Sequence, residues 1–191
     1  RLLTGKASPE LHLDLIEAAG KRSALSIKEK LKKYEQSRSA KDDLANFREC
    51  LAGGNAAEGK KIFLERVEAS CVRCHKLDKE CGEIGPVLNG VAAKHPREYL
   101  LESIVLPNKQ VAPGFESVLV VLKDGTSYAG TLKSETDNEL VLNSPEDGIV
   151  KVVKKEICKR EKGLSGMPPE LAQVLSKRDL RDLVEFLAGL K

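Results

Sequence analysis

Methionine, aromatic side chains and long apolar runs are all scarce in this chain of 191 residues, which holds one Met, four Phe, three Tyr and no Trp. So few aromatic faces leave little on which bases or sugars can stack. The longest purely aliphatic run, Val118 to Leu122, is five residues, far short of the ~20 that a membrane-crossing helix needs. No membrane span is expected. Charge of one sign is missing too: 32 Lys and Arg nearly balance 29 Asp and Glu, for a formal charge of +3. That is too weak and too scattered to point to nucleic acid. The chain opens on Arg1 with no initiator Met, no basic-then-apolar leader and no cleavage motif, and so reads as a fragment or a processed form.

What is present divides into three textures. The first fifty residues read as helical. Ser8-Pro9 suits a helix start, with Leu11, Leu15, Ile16 and Ala19 as an apolar stripe ending at Gly20. Ser26 to Glu29 has the pattern of a capping box opening a second helix through about Tyr34, and a third short helix is expected from about Asp43 to Leu51, before Gly53-Gly54. This region serves either as helical packing or as a docking surface. From the N-cap Asn55, a helix over Ala56 to about Val67 leads into a cysteine motif, and another is expected over Pro96 to Val105. The pattern then turns to strands: Phe115 to Lys123, the turn Asp124-Gly125, Thr126 to Lys133, Glu139 to Leu142, and Ile149 to Val153. This predicts an antiparallel meander of four or five strands. A final helix is capped by Ser176 and carries Leu180, Leu183, Val184, Leu187 and Leu190 on one face.

Chemistry concentrates at Cys71-Val72-Arg73-Cys74-His75. Two thiols at this spacing can add to the two vinyl groups of haem, and the histidine that follows can reach the iron. Three rival readings stand beside it. A zinc site needs a second ligand pair, and Cys81 with His95 or Cys158 matches the usual spacings poorly. A thioredoxin-like pair should open a helix in a βαβ setting, which the surroundings lack. A plain Cys71–Cys74 disulfide leaves His75 without a role. The remaining cysteines are Cys50, Cys81 and Cys158. In an exported protein Cys81 and Cys158 have reason to pair, leaving Cys50 free.

A haem iron that only passes electrons takes a second axial ligand. Met167 stands in Gly163-Leu164-Ser165-Gly166-Met167-Pro168-Pro169, a run of small and rigid residues ahead of the last helix. A side chain presented from a loop would have such a setting, although a lone Met is ordinarily core filler. His95 is the competing ligand, and His12 reads as a surface residue. Gly85-Pro86 suits the shell behind the metal ligand, since a metal-bound histidine normally donates its other ring N–H to a carbonyl. The alternative for Gly85-Pro86 is a simple turn.

Taken together, Gly59 and Phe63 before the Cys71 to His75 motif, then Gly85-Pro86-Val87-Leu88, Met167-Pro168 and Leu183 to Leu187 resemble the class I cytochrome c fold. More closely, the stretch from about Leu44 to Lys191 resembles the haem-binding domain found at the C-terminal end of large secreted proteins of Planctomycetes and Verrucomicrobia, after dehydrogenase-like and helical-repeat regions. Arg97 to Ile104, Gly114 to Ser117 and Leu175 to Leu180 carry that likeness. Cys81 is a departure, standing where that domain's loop carries glycine. The resemblance implies one haem c attached through Cys71 and Cys74, iron held by His75 and Met167, and Gly85, Pro86 and Leu88 around it. It further implies a periplasmic or otherwise exported electron carrier that is not itself an enzyme, serving a redox partner or a fused dehydrogenase domain. It also implies that the helix with Gly59 and Phe63 packs on the last helix through Phe186 and Leu187. A haem peroxidase or small-molecule sensor with an open distal position is the alternative.

His75 and Met167 are 92 residues apart, and taking out the 46 residues of 115–160 leaves 46, a span suited to a small helical cytochrome. The expected architecture is therefore α+β: a mainly α cytochrome c fold, residues 55–114 and 161–191, interrupted at 115–160 by a small antiparallel module of SH3-like barrel type, and preceded by a helical segment, 1–54. The β module is expected to be an accessory whose removal leaves the haem ligands in place.

Overall fold

A computed structural model describes residues 1–77, 84–144 and 146–191. Two compact units make up the chain: Arg1–Ser70 with Gly90–Glu102 and Leu171–Lys191, and Cys71–Asn89 with Ser103–Glu170. The described residues form seven helices and one five-stranded antiparallel sheet, an α+β composition. None of these helices is long and apolar enough to cross a membrane.

In the helical unit, α1 (His12–Gly20) follows a 3-10 turn at Pro9–Leu11, and α2 (Leu25–Gln36) comes next. The capping box expected at Ser26 does not form. The Ala24 carbonyl already accepts from the amides of Ile27 and Lys28, so α2 starts at Leu25 and Ser26 lies within its first turn. The helix expected over Asp43 to Leu51 is instead a series of turns and a 3-10 turn, Arg48–Cys50. Asp42 is the cause: its Oδ1 accepts from the Leu44 amide at 3.1 Å and its Oδ2 from Arg48 Nε at 2.8 Å, a local alternative to helical bonding.

Two helices form the centre of this unit. Helix α3 (Ala56–Glu65) starts where Asn55 Oδ1 caps the amides of Ala57 and Glu58 at 3.0 and 3.3 Å. Helix α7 (Lys177–Ala188) starts at Ser176, in a complete capping box with Asp179. Between them in the chain lie α4 (Val91–Lys94), α5 (Arg97–Val105) and α6 (Leu171–Val174). Helices α3 and α7 meet at Gly59, where a Cβ would overlap the Asp182 carbonyl and stand 2.8 Å from Phe186 Cβ. Beside it the rings of Phe63 and Phe186 pack tilted, 5.7 Å between centroids. The apolar stripe of α7 needs this partner, and Leu180, Leu183, Val184 and Leu187 are all buried.

The first fifty residues are tied into the same unit by charge. Asp14 accepts from Arg178 at 2.7 Å and from Arg181 at 3.0 Å, and the Arg181 guanidinium leads in holding its carboxyl below the usual range. Glu49, with a wholly buried side chain, meets Arg38 at 2.9 Å and Lys177 at 2.5 Å. Arg97 grips Glu185 with two bonds of 2.7 Å and also reaches the Leu51 carbonyl.

The sheet belongs to the second unit. Its strands are β1 (Ser117–Leu122), β2 (Ser127–Glu135), β3 (Glu139–Ser144), β4 (Gly148–Val153) and β5 (Ile157–Lys162), in the order β4-β3-β2-β1-β5. The Asp124-Gly125 turn forms as expected, with Gly125 at φ 88° and the Thr126 amide bound to Asp124 Oδ1 at 2.8 Å. Alternate residues Val118, Val120, Leu140, Leu142 and Val152 make one apolar face, closed by Leu122, Tyr128, Leu132, Val150 and Ile157. The closure expected of an SH3-like barrel is not seen: the sheet is open, with β4 and β5 as its edges.

The fit at Gly59 makes a direct test of the helical core. Gly59→Ala gains helix propensity, but its methyl meets backbone on α7, and the net expected effect is a loss of ~1–3 kcal/mol in denaturant unfolding. An unchanged unfolding midpoint would show that the two helices do not approach so closely.

Candidate functional site

The Cys71 to His75 motif follows directly on a backbone constraint. Helix α3 ends at Glu65, a turn carries the chain through Val67 to Ala69, and Ser70 adopts φ 47°, the one non-glycine residue in the left-handed region among those described. Cys71–Arg73 then forms a 3-10 turn, and the amides of Cys74 and His75 both donate to the Cys71 carbonyl, at 3.2 and 3.0 Å. A tight turn brings the motif's residues together. Both thiols are free and partly exposed, and burial pushes the Cys71 thiol up.

His75 is held from behind by the segment after residue 83. Its Nδ1 lies 3.0 Å from the Pro86 carbonyl. A carbonyl only accepts, so Nδ1 carries the proton and Nε2 is left with a free lone pair. Burial lowers the pKa of the ring, opposed by the Pro86 bond, and keeps the imidazole neutral. Two backbone bonds flank this contact: Gly85 N to the Cys74 carbonyl at 3.1 Å and Leu88 N to the Lys76 carbonyl at 2.8 Å. Gly85 is buried between them, and a Cβ on it would stand 3.1 Å from both the Cys74 oxygen and His75 Cε1. The small residue lets Pro86 come close enough to bind the ring.

Met167 is half-buried in the loop between β5 and α6, within the same compact unit as Cys71, Cys74, His75, Gly85, Pro86 and Leu88. Its amide donates to Ser165 Oγ at 3.1 Å. His95, the competing ligand in the sequence, belongs to the helical unit, where its ring stacks on Tyr99 with centroids 3.9 Å apart. His12 is in the helical unit as well, its Nε2 3.1 Å from the Ala7 carbonyl. Cys81, and with it the question of a pairing to Cys158, lies outside the described residues; Cys158 is exposed on β5, and Cys50 is buried with its thiol pushed up to about 12, chiefly by burial.

Some partners around Met167 carry no motif that could have marked them. Asn108 Oδ1 accepts from the Ser165 amide at 2.7 Å, Ser117 Oγ donates to the Leu164 carbonyl, and the Gly163 amide donates to the Ser117 carbonyl at 2.8 Å. These are single polar residues in turns and at a strand start, and no spacing rule connects them. Among the described residues, no group of three or more His, Cys, Asp or Glu clusters as a site for a bare metal ion, so they form no tetrahedral zinc set.

The arrangement thus offers two thiols and one neutral imidazole nitrogen from a single turn, with a thioether on a pinned loop of the same unit. Residues 56–133 match the family model of cytochrome c, a stretch that runs from α3 through the cysteine motif and Leu88 into β2 and stops short of Met167. No curated protein matches the chain. The match supports a c-type cytochrome domain here, and with it covalently attached haem and electron transfer.

The role of Gly85 can be checked without any ligand. In Gly85→Val the branched side chain pushes against the His75 ring, so nitrogen NMR should show the single Nδ1–H tautomer of the parent chain replaced by a mixture of both. A variant that keeps one tautomer would mean that Pro86 does not need the close approach.

Proposed function

We propose that this chain is an electron-transfer domain with a single haem c, joined by thioethers to Cys71 and Cys74 and held at the iron by His75 and Met167. The observation that carries the reading is the His75 ring. Its Nδ1–H is committed to the Pro86 carbonyl, which leaves the Nε2 lone pair to a ligand, and among the described residues the two thiols of the same turn are free. The donor set fits haem c: thiols for the vinyl groups, an oriented imidazole for one axial position and a soft thioether for the other. Three of the exposed large apolar side chains, Val72 at 41%, Ile84 at 45% and Leu164 at 74%, lie within three residues of Cys71, Pro86 or Met167 in sequence, and a flat apolar group would give them something to cover. Placement of Met167 in the same unit as His75, while His95 belongs to the other, favours Met167 as the second ligand.

Haem, when bound, would supply the one-electron couple; His75 and Met167 would hold it, and this chain's groups would set its potential. Pro86 orients the imidazole and raises its basicity, and Gly85 makes room for that contact. With no open position for a substrate, the domain has no turnover of its own. Thioether attachment takes place outside the reducing cytosol, which supports a periplasmic or otherwise exported location. The finer likeness to the haem-binding domain of Planctomycetes and Verrucomicrobia supports a redox partner protein or a fused dehydrogenase domain as the source of electrons. The 92-residue separation of His75 and Met167 supports reading the sheet as an insertion at 115–160 into a haem domain of 55–114 and 161–191, following a helical segment 1–54.

The test is to mature the protein in cells competent for haem attachment, then record its mass and its oxidised and reduced spectra. One haem retained after denaturation and a six-coordinate low-spin iron are expected. In Met167→Ala the haem should stay attached while the ferric iron becomes high-spin or binds added ligands, and the potential should fall within the ~0.8 V that axial ligands span. An unchanged spectrum and potential would remove Met167 from the iron and turn attention to His95.

A further inference from the structure

We infer that Asn108, Ser117 and Ser165 are positioning residues that hold the Met167 loop, so that the first strand of the sheet forms part of the Met167 side of the haem site. The inference rests on the reading of Met167 as an axial ligand. The loop 163–167 has no helix or strand of its own and contains two glycines. Such a segment samples many conformations unless it is tied down. Here three hydrogen bonds tie it to Ser117 and Asn108, and a fourth lies within the loop. Gly163 N donates to the Ser117 carbonyl at 2.8 Å, and Leu164 O accepts from Ser117 Oγ. Ser165 N donates to Asn108 Oδ1 at 2.7 Å, and Met167 N donates to Ser165 Oγ at 3.1 Å. Through Ser165, whose amide and hydroxyl are both engaged, Asn108 is linked to the Met167 backbone.

The anchors are themselves fixed. Ser117 is the first residue of β1, paired with Thr131 of β2, and Val118 beside it pairs with Lys162 of β5, one residue before the loop. Asn108 follows Pro107 in a turn closed by the Lys109 amide on the Leu106 carbonyl at 2.9 Å. Gly163 fits the same scheme: a Cβ there would overlap Ser117 Oγ and stand 3.0 Å from the Ser117 carbonyl carbon. The loop lies against β1 because residue 163 has no side chain. This arrangement runs against the expectation of a dispensable module, since a deletion that joins Val111 to Lys162 removes Ser117 along with the strands.

The inference is tested on the mature haem protein by substituting the anchors and adding imidazole, which competes with the thioether for ferric iron. Asn108→Ala and Ser117→Ala should each keep one covalent haem by mass, yet bind imidazole about threefold more tightly, as expected for losing one partly exposed hydrogen bond. The double variant should show about tenfold if the two anchors act independently. Ser117→Thr keeps the hydroxyl and should return the parent affinity, an outcome that general loss of stability would not produce. Parent-like imidazole affinity and midpoint potential in both alanine variants, alongside an opened iron in Met167→Ala, would overturn the inference and leave the ligand assignment standing. If Met167→Ala itself changes neither spectrum nor imidazole affinity, the assignment fails and the inference falls with it. A deletion of 115–160 that still resists imidazole as the parent does would also overturn it.

Discussion

One hydrogen bond, from His75 Nδ1 to the Pro86 carbonyl, decides what the cysteine motif can do. An imidazole with a free choice of tautomer and rotation presents either nitrogen in any direction; one committed to a carbonyl presents Nε2 alone. The bond is not isolated. Residues 74–76 and 85–88 are laced by backbone contacts on either side of it, Gly85 to Cys74 and Leu88 to Lys76. Proline sets the backbone on which the carbonyl is carried, and glycine removes the one side chain that would hold the two segments apart. The chemistry therefore rests on backbone geometry more than on side-chain character.

How much of this was legible depended on whether the signal was local. Asn55 as a cap, the Asp124-Gly125 turn, the alternating strands and the stripe on α7 are all written within a few residues, and each formed close to its expected bounds. The pairing of Gly59 and Phe63 with Phe186 came from resemblance, because nothing in either helix names its partner. Where two local signals competed, the weaker pattern was misleading. Ser26 to Glu29 spells a capping box, but the helix had already begun. Asp43 to Leu51 has helical spacing, but Asp42 draws the chain into turns. The loop anchors Asn108 and Ser117 were unreadable because hydrogen bonds 57 and 47 residues apart in sequence leave no periodic trace.

The same holds for the charge buried in the helical unit. Removing Glu49 from water is costly, and one of its oxygens has no hydrogen-bond partner among the described residues. Arg38 and Lys177 compensate from two different parts of the chain, and Asp14 does likewise for the buried Arg181. These pairs contribute less to stability than to alignment: they are satisfied only when the first fifty residues and α7 are in register. Composition balances the charges overall and carries no sign that Glu49 and Arg181 are buried.

The separation of α3 from α7 has a consequence for the order of assembly. Asn55 binds the Asp182 carboxylate across 127 residues of sequence, so forming that contact closes a very long loop, whereas the β2, β3 and β4 hairpins join near neighbours. Closure entropy grows with loop length, and topologies built on distant contacts fold slowly. The sheet is complete in sequence at Lys162, whereas Phe63 has its partner only at Phe186. The cysteine turn belongs to the unit whose last residue is Glu170, so that unit is complete in sequence before the helical one, which needs residues up to Lys191.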